Sequence, residues 1–102
     1  MTFDIIYNIG DCLEASLIGD LDINTVEEFK DSLINKFKEE DKNLIINLES
    51  LDYIDSTGLG AFMTIYKEVE DRGRKLKIIN PKKNIVKLFK ITELDTILNL
   101  ED

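Results

Sequence analysis

Hydrophobic positions along the chain change period several times, and each change marks an element. Over residues 2–9 the side chains alternate, with Phe3, Ile5, Tyr7 and Ile9 set against Asp4, Ile6 and Asn8. Residues 12–18 alternate again, with Leu13, Ala15 and Leu17 on one side and Glu14 and Ser16 on the other. A period of two marks a half-buried strand, and the short polar turn between these runs predicts an antiparallel hairpin. The period then lengthens. Val26, Phe29, Leu33 and Phe37 recur at spacings of three and four, which predicts a helix over 25–38. Asn24 or Thr25 can cap its first turn, and Thr25-x-x-Glu28 fits a capping box.

A strand over 44–48 follows, with Leu44, Ile46 and Leu48 coreward. A helix over 57–72 shows Leu59, Phe62, Tyr66 and Val69 on one face, and Gly73 is suited to stop it. Residues 75–79 read as a strand with Leu76 and Ile78 inward. Asn80-Pro81 opens a third helix with proline at its first position, carrying Ile85, Leu88, Phe89 and Ile91. Residues 96–98 are expected to form a short edge strand. The order is β-β-α-β-α-β-α with room for this final strand. Strands joined through helices run parallel, so the expected fold is α/β. It has a mixed four- to five-stranded sheet that opens with a hairpin. The main helices pack on one face, and the other stays wetter.

The 102 residues suit one domain spanning 1–102, and 43% hydrophobic content supports a core. A net charge of −8 repels phosphate backbones and argues against nucleic acid as a partner. Lys82, Lys83, Lys87 and Lys90 form the nearest basic cluster and read as a solvated helix face. No apolar run approaches the ~20 residues of a membrane span, and the N-terminus lacks the pattern of a secretion signal. The single cysteine, Cys12, reads as a buried structural thiol in a strand-like stretch. These features point to the cytoplasm. Histidine is absent, which removes Ser-His-Asp and Cys-His chemistry.

In such a sheet the loops leaving the C-terminal ends of parallel strands gather at one edge, the usual place for binding. Gly19-Asp20-Leu21-Asp22 and Asp55-Ser56-Thr57-Gly58-Leu59-Gly60 are expected to be neighbours there, with Asp20, Asp22 and Asp55 near the hydroxyls of Ser56 and Thr57. Taken locally, Ser56 reads as a helix N-cap and the aspartates as charges complementing a helix dipole. Gly58 and Gly60 allow either close approach of a partner backbone or tight packing of the turn on the sheet. For Leu59 and Phe89, core packing and partner contact are both open.

Together these residues carry more than they do singly. Tyr53-Ile54-Asp55-Ser56-Thr57-Gly58-Leu59-Gly60 resembles the phosphorylation signature of the STAS-domain anti-anti-sigma factors, and the resemblance extends over essentially the full length. Gly19-Asp20-Leu21-Asp22 followed by Thr25 resembles a second block of that family. Gly73 before the Leu76 strand and the corner Ile91-Thr92-Glu93-Leu94 also fit, although Glu93 stands where many relatives have glycine. The resemblance implies a STAS-like fold and an anti-sigma factor antagonist. Ser56 is then the phosphoacceptor of an anti-sigma factor serine kinase, which itself carries ATP and its metal ion. The unmodified chain binds that kinase and frees the sigma factor, phosphorylation ends the binding, and a serine phosphatase restores it. The contact surface implied is Asp20, Asp22, Asn24, Thr25, Asp55, Ser56, Thr57, Gly58, Leu59 and Gly60. The chain needs no cofactor of its own, and it is a monomer or weak dimer.

Two rivals stand beside this reading. One is a STAS scaffold or sensor domain with a different protein partner. The other is an enzyme built on the three aspartates. The opening hairpin argues against an alternating receiver fold, and the Ser56 loop lacks the lysine of a nucleotide-binding loop. The chain is therefore expected not to be an enzyme.

Overall fold

The two alternating runs meet in a hairpin, and every later strand joins the sheet beside the one before it. The computed structural model describes residues 3–101; Thr2, where the first alternating run begins, lies outside them. Strands β1 (Phe3–Ile9) and β2 (Leu13–Leu21) pair antiparallel, from Phe3 opposite Gly19 to Ile9 opposite Leu13. Helix α1 (Val26–Glu40) leads to β3 (Leu44–Ile54), helix α2 (Ser56–Asp71) to β4 (Leu76–Ile79), and helices α3 (Lys83–Ile91) and α4 (Leu94–Ile97) to β5 (Leu100–Glu101). The sheet order is β1-β2-β3-β4-β5, parallel from β2 onward. This is the expected α/β fold with a mixed sheet and its helices on one face.

The core lies between that face and the helices. Leu13, Ala15 and Leu17 of β2, and Leu44, Ile46 and Leu48 of β3, are buried under the stripe Val26, Phe29, Leu33 and Phe37 of α1 and the apolar face of α2. Aromatic rings tie the layers together. Phe3 meets Phe29 at 6.0 Å, Phe29 meets Phe62 at 5.4 Å, and Phe62 meets Phe89 at 5.7 Å between centroids. This row links β1, α1, α2 and α3, and the first two contacts are edge-to-face, the geometry that aromatic quadrupoles favour. Leu59 and Phe89 are both core residues, which resolves their two readings. Helix α2 ends in a Schellman motif: Gly73, at φ +72°, donates to the Glu70 carbonyl and Arg74 to that of Val69.

Several boundaries differ from expectation. β3 runs six residues past Leu48, because burial there switches to a spacing of three, through Leu51 to Ile54. The β2–β3 register shifts between Ser16 and Ile18 and again between Gly19 and Asp20, so the strict period of two fails. Pro81 is not the first helical residue. Asn80 turns the chain at φ 58°, Lys82 is the N-cap, and α3 starts at Lys83. The expected strand over 96–98 is instead the end of a helical turn, closed by the Leu98 N–H on the Leu94 carbonyl; Asn99, at φ 57°, then sets up β5. Glu93 adopts φ 60°, the left-handed region where glycine is at ease, so the corner keeps its shape without one. Cys12 is half-buried and sits in the turn before β2, where the Gly10 N–H closes on its carbonyl at 3.0 Å.

Phe62 is fully buried and touches the rings on both sides of it. Its replacement by alanine is expected to lower unfolding free energy by about 3–5 kcal/mol, read from urea unfolding.

Candidate functional site

The C-terminal ends of β2 and β3 form the floor of the site. Asp20 lies opposite Tyr53 and Leu21 opposite Ile54, and the Asp55 N–H reaches the Leu21 carbonyl at 3.3 Å. The two segments are neighbours as expected, but Gly19, Asp20 and Leu21 belong to β2 and are not loop residues. The loop proper begins at Asp22. Its carbonyl accepts the N–H groups of Thr25 and Val26 at 3.1 and 2.9 Å, and its carboxylate accepts that of Asn24 at 2.9 Å.

Thr25 is the N-cap of α1 by position, yet its side chain does not cap the helix, and the expected capping box is absent. The hydroxyl turns toward the strand end, where it donates to the Asp20 carbonyl at 2.9 Å and accepts the Asp22 N–H at 3.0 Å. Thr25 therefore pins the end of β2 in place, holding Asp20 and Asp22 beside the start of α2.

The N-cap of α2 is Asp55, not Ser56. Asp55 is extended, at φ −111° and ψ −175°, and its carboxylate accepts the Gly58 N–H at 3.0 Å. This releases Ser56 from the capping role. Ser56 and Thr57 open the helix exposed to solvent, and among the described residues their hydroxyls make no hydrogen bond. The two glycines part company. A Cβ on Gly58 would stand 2.7 Å from Ile54 Cγ1 and 3.1 Å from Leu21 Cγ, so Gly58 is there for packing. A Cβ on Gly60 would meet nothing within 4 Å, so packing gives no reason for it.

Around the serine the surface is acidic with apolar islands. Asp20, Asp22 and Asp55 are half-buried, and Asn24 and Gly60 are exposed. Leu59, at 4% exposure, contributes its side chain to the core rather than to a partner. Sequence reasoning passed over Ile23, 72% exposed, and Tyr53, 49% exposed. The signal for Ile23 was present, as an apolar residue in a polar turn and outside the stripe of α1. Asp52 is held by Lys82 across the strand end. The remaining lysines of that cluster, Lys83, Lys87 and Lys90, line an open groove with Pro81, Val86 and Ile91 on the outer side of α3. Among the described residues, no helix is long and apolar enough to cross a membrane, and no three metal-ligating side chains come together.

Comparison with known proteins gives the kind of domain to which this fold and this edge belong. The family model for the STAS domain matches residues 5–102. An anti-sigma-B factor antagonist of Staphylococcus aureus (strain NCTC 8325 / PS 47) is 32% identical over 89 residues, 87% of this chain and 82% of the relative. That of Bacillus subtilis (strain 168) is 31% identical over 97 residues, 95% of this chain and 87% of the relative. The chain belongs to the STAS-domain family of anti-sigma factor antagonists. In fold it is similar to the anti-sigma factor antagonist SpoIIAA in its unphosphorylated form, with a TM-score of 0.82, 22% identity and coverage of 99% of this chain and 87% of the other. The phosphorylated form of Bacillus SpoIIAA aligns with a TM-score of 0.72 at 24% identity, covering 99% and 90%.

The contrast between the glycines is testable by urea unfolding. Gly58→Ala is expected to destabilise by about 1–3 kcal/mol, because the new methyl group collides with the middle of the Ile54 side chain. Gly60→Ala, in open space inside a helix, is expected to stabilise by about 0.4–1 kcal/mol.

Proposed function

We propose that this chain is a switchable antagonist of an anti-sigma factor. Unmodified, it binds an anti-sigma factor serine kinase through the edge formed by β2, β3 and the start of α2, and so frees a sigma factor. Phosphorylation of Ser56 by that kinase, which holds the ATP, ends the complex, and a serine phosphatase resets it. The observation that carries this reading is Ser56 itself: exposed, released from capping by Asp55, and first in a helix beside the strand end that bears Asp20 and Asp22. The names of the relatives support the antagonist class. In this reading residues 1–102 act as one STAS domain in the cytoplasm, and the chain is substrate rather than enzyme.

The side chains divide the work. Asp20, Asp22, Asn24, Asp55, Ser56 and Thr57 face the partner, with Ile23 and Tyr53 as its apolar anchors and Gly60 admitting close approach. Thr25, Gly58 and Leu59 hold the surface from beneath. A phosphoserine adds roughly −1.5 to −2 charges. The helix N-terminus favours that anion by about 0.3–1 kcal/mol. If two aspartates stand about 6 Å from it, they oppose it by roughly 2–3 kcal/mol in water before salt screening. Repulsion wins, and burial against a partner enlarges it. About 1.4 kcal/mol is tenfold in affinity, so the modification suffices to release a partner without refolding the domain.

The test is phosphorylation by the organism's anti-sigma serine kinases with ATP, mapped by mass spectrometry on wild type and Ser56→Ala. The expected result is phosphate on Ser56, none on the alanine variant, and kinase affinity at least about tenfold lower for the phosphorylated chain. Phosphate with undiminished affinity sinks the switch. No phosphate from any such kinase points instead to a STAS scaffold with another partner.

A further inference from the structure

Among the described residues, strand β1 pairs with β2 alone, so one side of the sheet ends in a row of backbone groups without a strand partner. Sheet edges of this kind are usually guarded by lysine, proline, a bulge or a covering element. β1 reads Phe-Asp-Ile-Ile-Tyr-Asn-Ile, without lysine or proline, and it runs in unbroken register with β2. Ile6 is 56% exposed and Ile9 46%. The Lys36 ammonium of α1 lies 5.8 Å from the centre of the Tyr7 ring. Within the strand itself the guard is Asp4, whose carboxylate accepts the N–H of Ile5 at 2.8 Å. That bond also orients the strand. The Ile5 N–H points away from β2, and by alternation the backbone groups of Phe3, Tyr7 and Ile9 point the same way.

The geometry points to this edge as the interface of a two-fold symmetric dimer, with β1 of two copies paired antiparallel about Ile6. Antiparallel pairing joins outward-facing residues only to outward-facing residues. A two-fold axis at Ile6 sets Ile5 against Tyr7 and Phe3 against Ile9, so every outward-facing residue of the strand finds a partner. Shifting the axis to Ile5 or Tyr7 leaves one end unpaired. Shifting it to Asp4 brings two like charges face to face, which disfavours that register.

The Ile6 register also satisfies the side chains. Asp4 comes opposite Asn8, whose amide donates to the carboxylate once the Ile5 N–H has passed to the Tyr7 carbonyl of the other copy. On the core side the cross-strand pairs are Phe3 with Ile9 and Ile5 with Tyr7, aromatic against β-branched, a combination that stabilises sheets. On the open face Ile6 meets its own copy. The net charge of −8 on each chain opposes approach, and salt screens that repulsion, so the dimer tightens as ionic strength rises. This inference does not depend on the role of Ser56.

Cysteine cross-linking in a Cys12→Ser background tests the register. At the axis the two Cα atoms of an antiparallel non-hydrogen-bonded pair are about 4.5 Å apart, within disulfide reach. Under mild oxidation Ile6→Cys is expected to form a covalent dimer at least about tenfold faster than Asp4→Cys or Asn8→Cys alone. A mixture of the Asp4→Cys and Asn8→Cys chains is expected to cross-link as a heterodimer at a rate near that of Ile6→Cys. Sedimentation of the unaltered chain is expected to show the mass doubling with concentration, at lower concentration in higher salt. A monomer at every concentration and salt overturns the inference, as does equal cross-linking at all positions. Cross-linking of Ile6→Cys without the mixed pair overturns it too, because that pattern belongs to stacking of the open faces.

Discussion

The start of α2 is fixed by one close packing contact, and the presentation of the serine follows from it. Gly58 lies against Ile54 and Leu21 with no room for a methyl group, so the first turn of the helix rests directly on the ends of two strands. The backbone there is already committed: the Asp55 N–H goes to Leu21, and the Asp55 carboxylate to Gly58. Such a junction leaves little freedom for the residues between. Ser56 and Thr57 must project from the rim, whatever the side chains around them do. A larger residue at position 58 would lift the helix start and tilt the rim, so the glycine shapes the rim through packing.

The same junction sets the electrostatics. A helix N-terminus is ordinarily a place that welcomes an anion. Here the nearest strand end brings Asp20 and Asp22 beside it, held by the Thr25 hydroxyl and by the turn from Asp22 to Val26. The site is therefore balanced against itself: the backbone attracts negative charge and the carboxylates reject it. A neutral hydroxyl feels neither strongly. A phosphate feels both, and the fixed charges carry the larger share because each acts with a full unit.

Much of this was legible in the sequence, and what was not has a physical cause. In α1 and β2 the buried faces fell where the periods put them. Ile9 at the end of β1 is exposed, and in α2 Ala61 and Ile65 are buried beside the expected Leu59, Phe62 and Val69 while Tyr66 is only half-buried. β3 beyond Leu48 was lost because its register against β2 shifts twice, which turns a spacing of two into one of three. The capping roles were exchanged for a similar reason of context. Ser56 and Thr25 are good cap residues on paper, but Asp55 already accepts the Gly58 N–H, and the Thr25 hydroxyl accepts the Asp22 N–H rather than one from the helix. The final strand was displaced by a helical turn because left-handed residues at Glu93 and Asn99 redirect the chain, and neither is glycine. Ile23 had a signal, an apolar residue in a polar turn, that was not used, whereas Tyr53 was read only as part of the Ser56 signature because its exposure shows only in three dimensions.

The sheet has two kinds of unfinished boundary, and they lie in different directions. The rim with Ser56 closes the ends of the parallel strands, whereas the free side of β1 runs along a strand. Two-fold pairing through β1 reverses one copy relative to the other, with the axis perpendicular to the sheet. The two serine rims then sit at opposite ends of one continuous sheet, and neither is covered by the pairing. In the reading proposed above, a kinase at one rim and a second copy along β1 do not compete for surface. On that proposal each protomer stays open to modification on its own, and a phosphate at one rim would act on the other only through salt-screened distance.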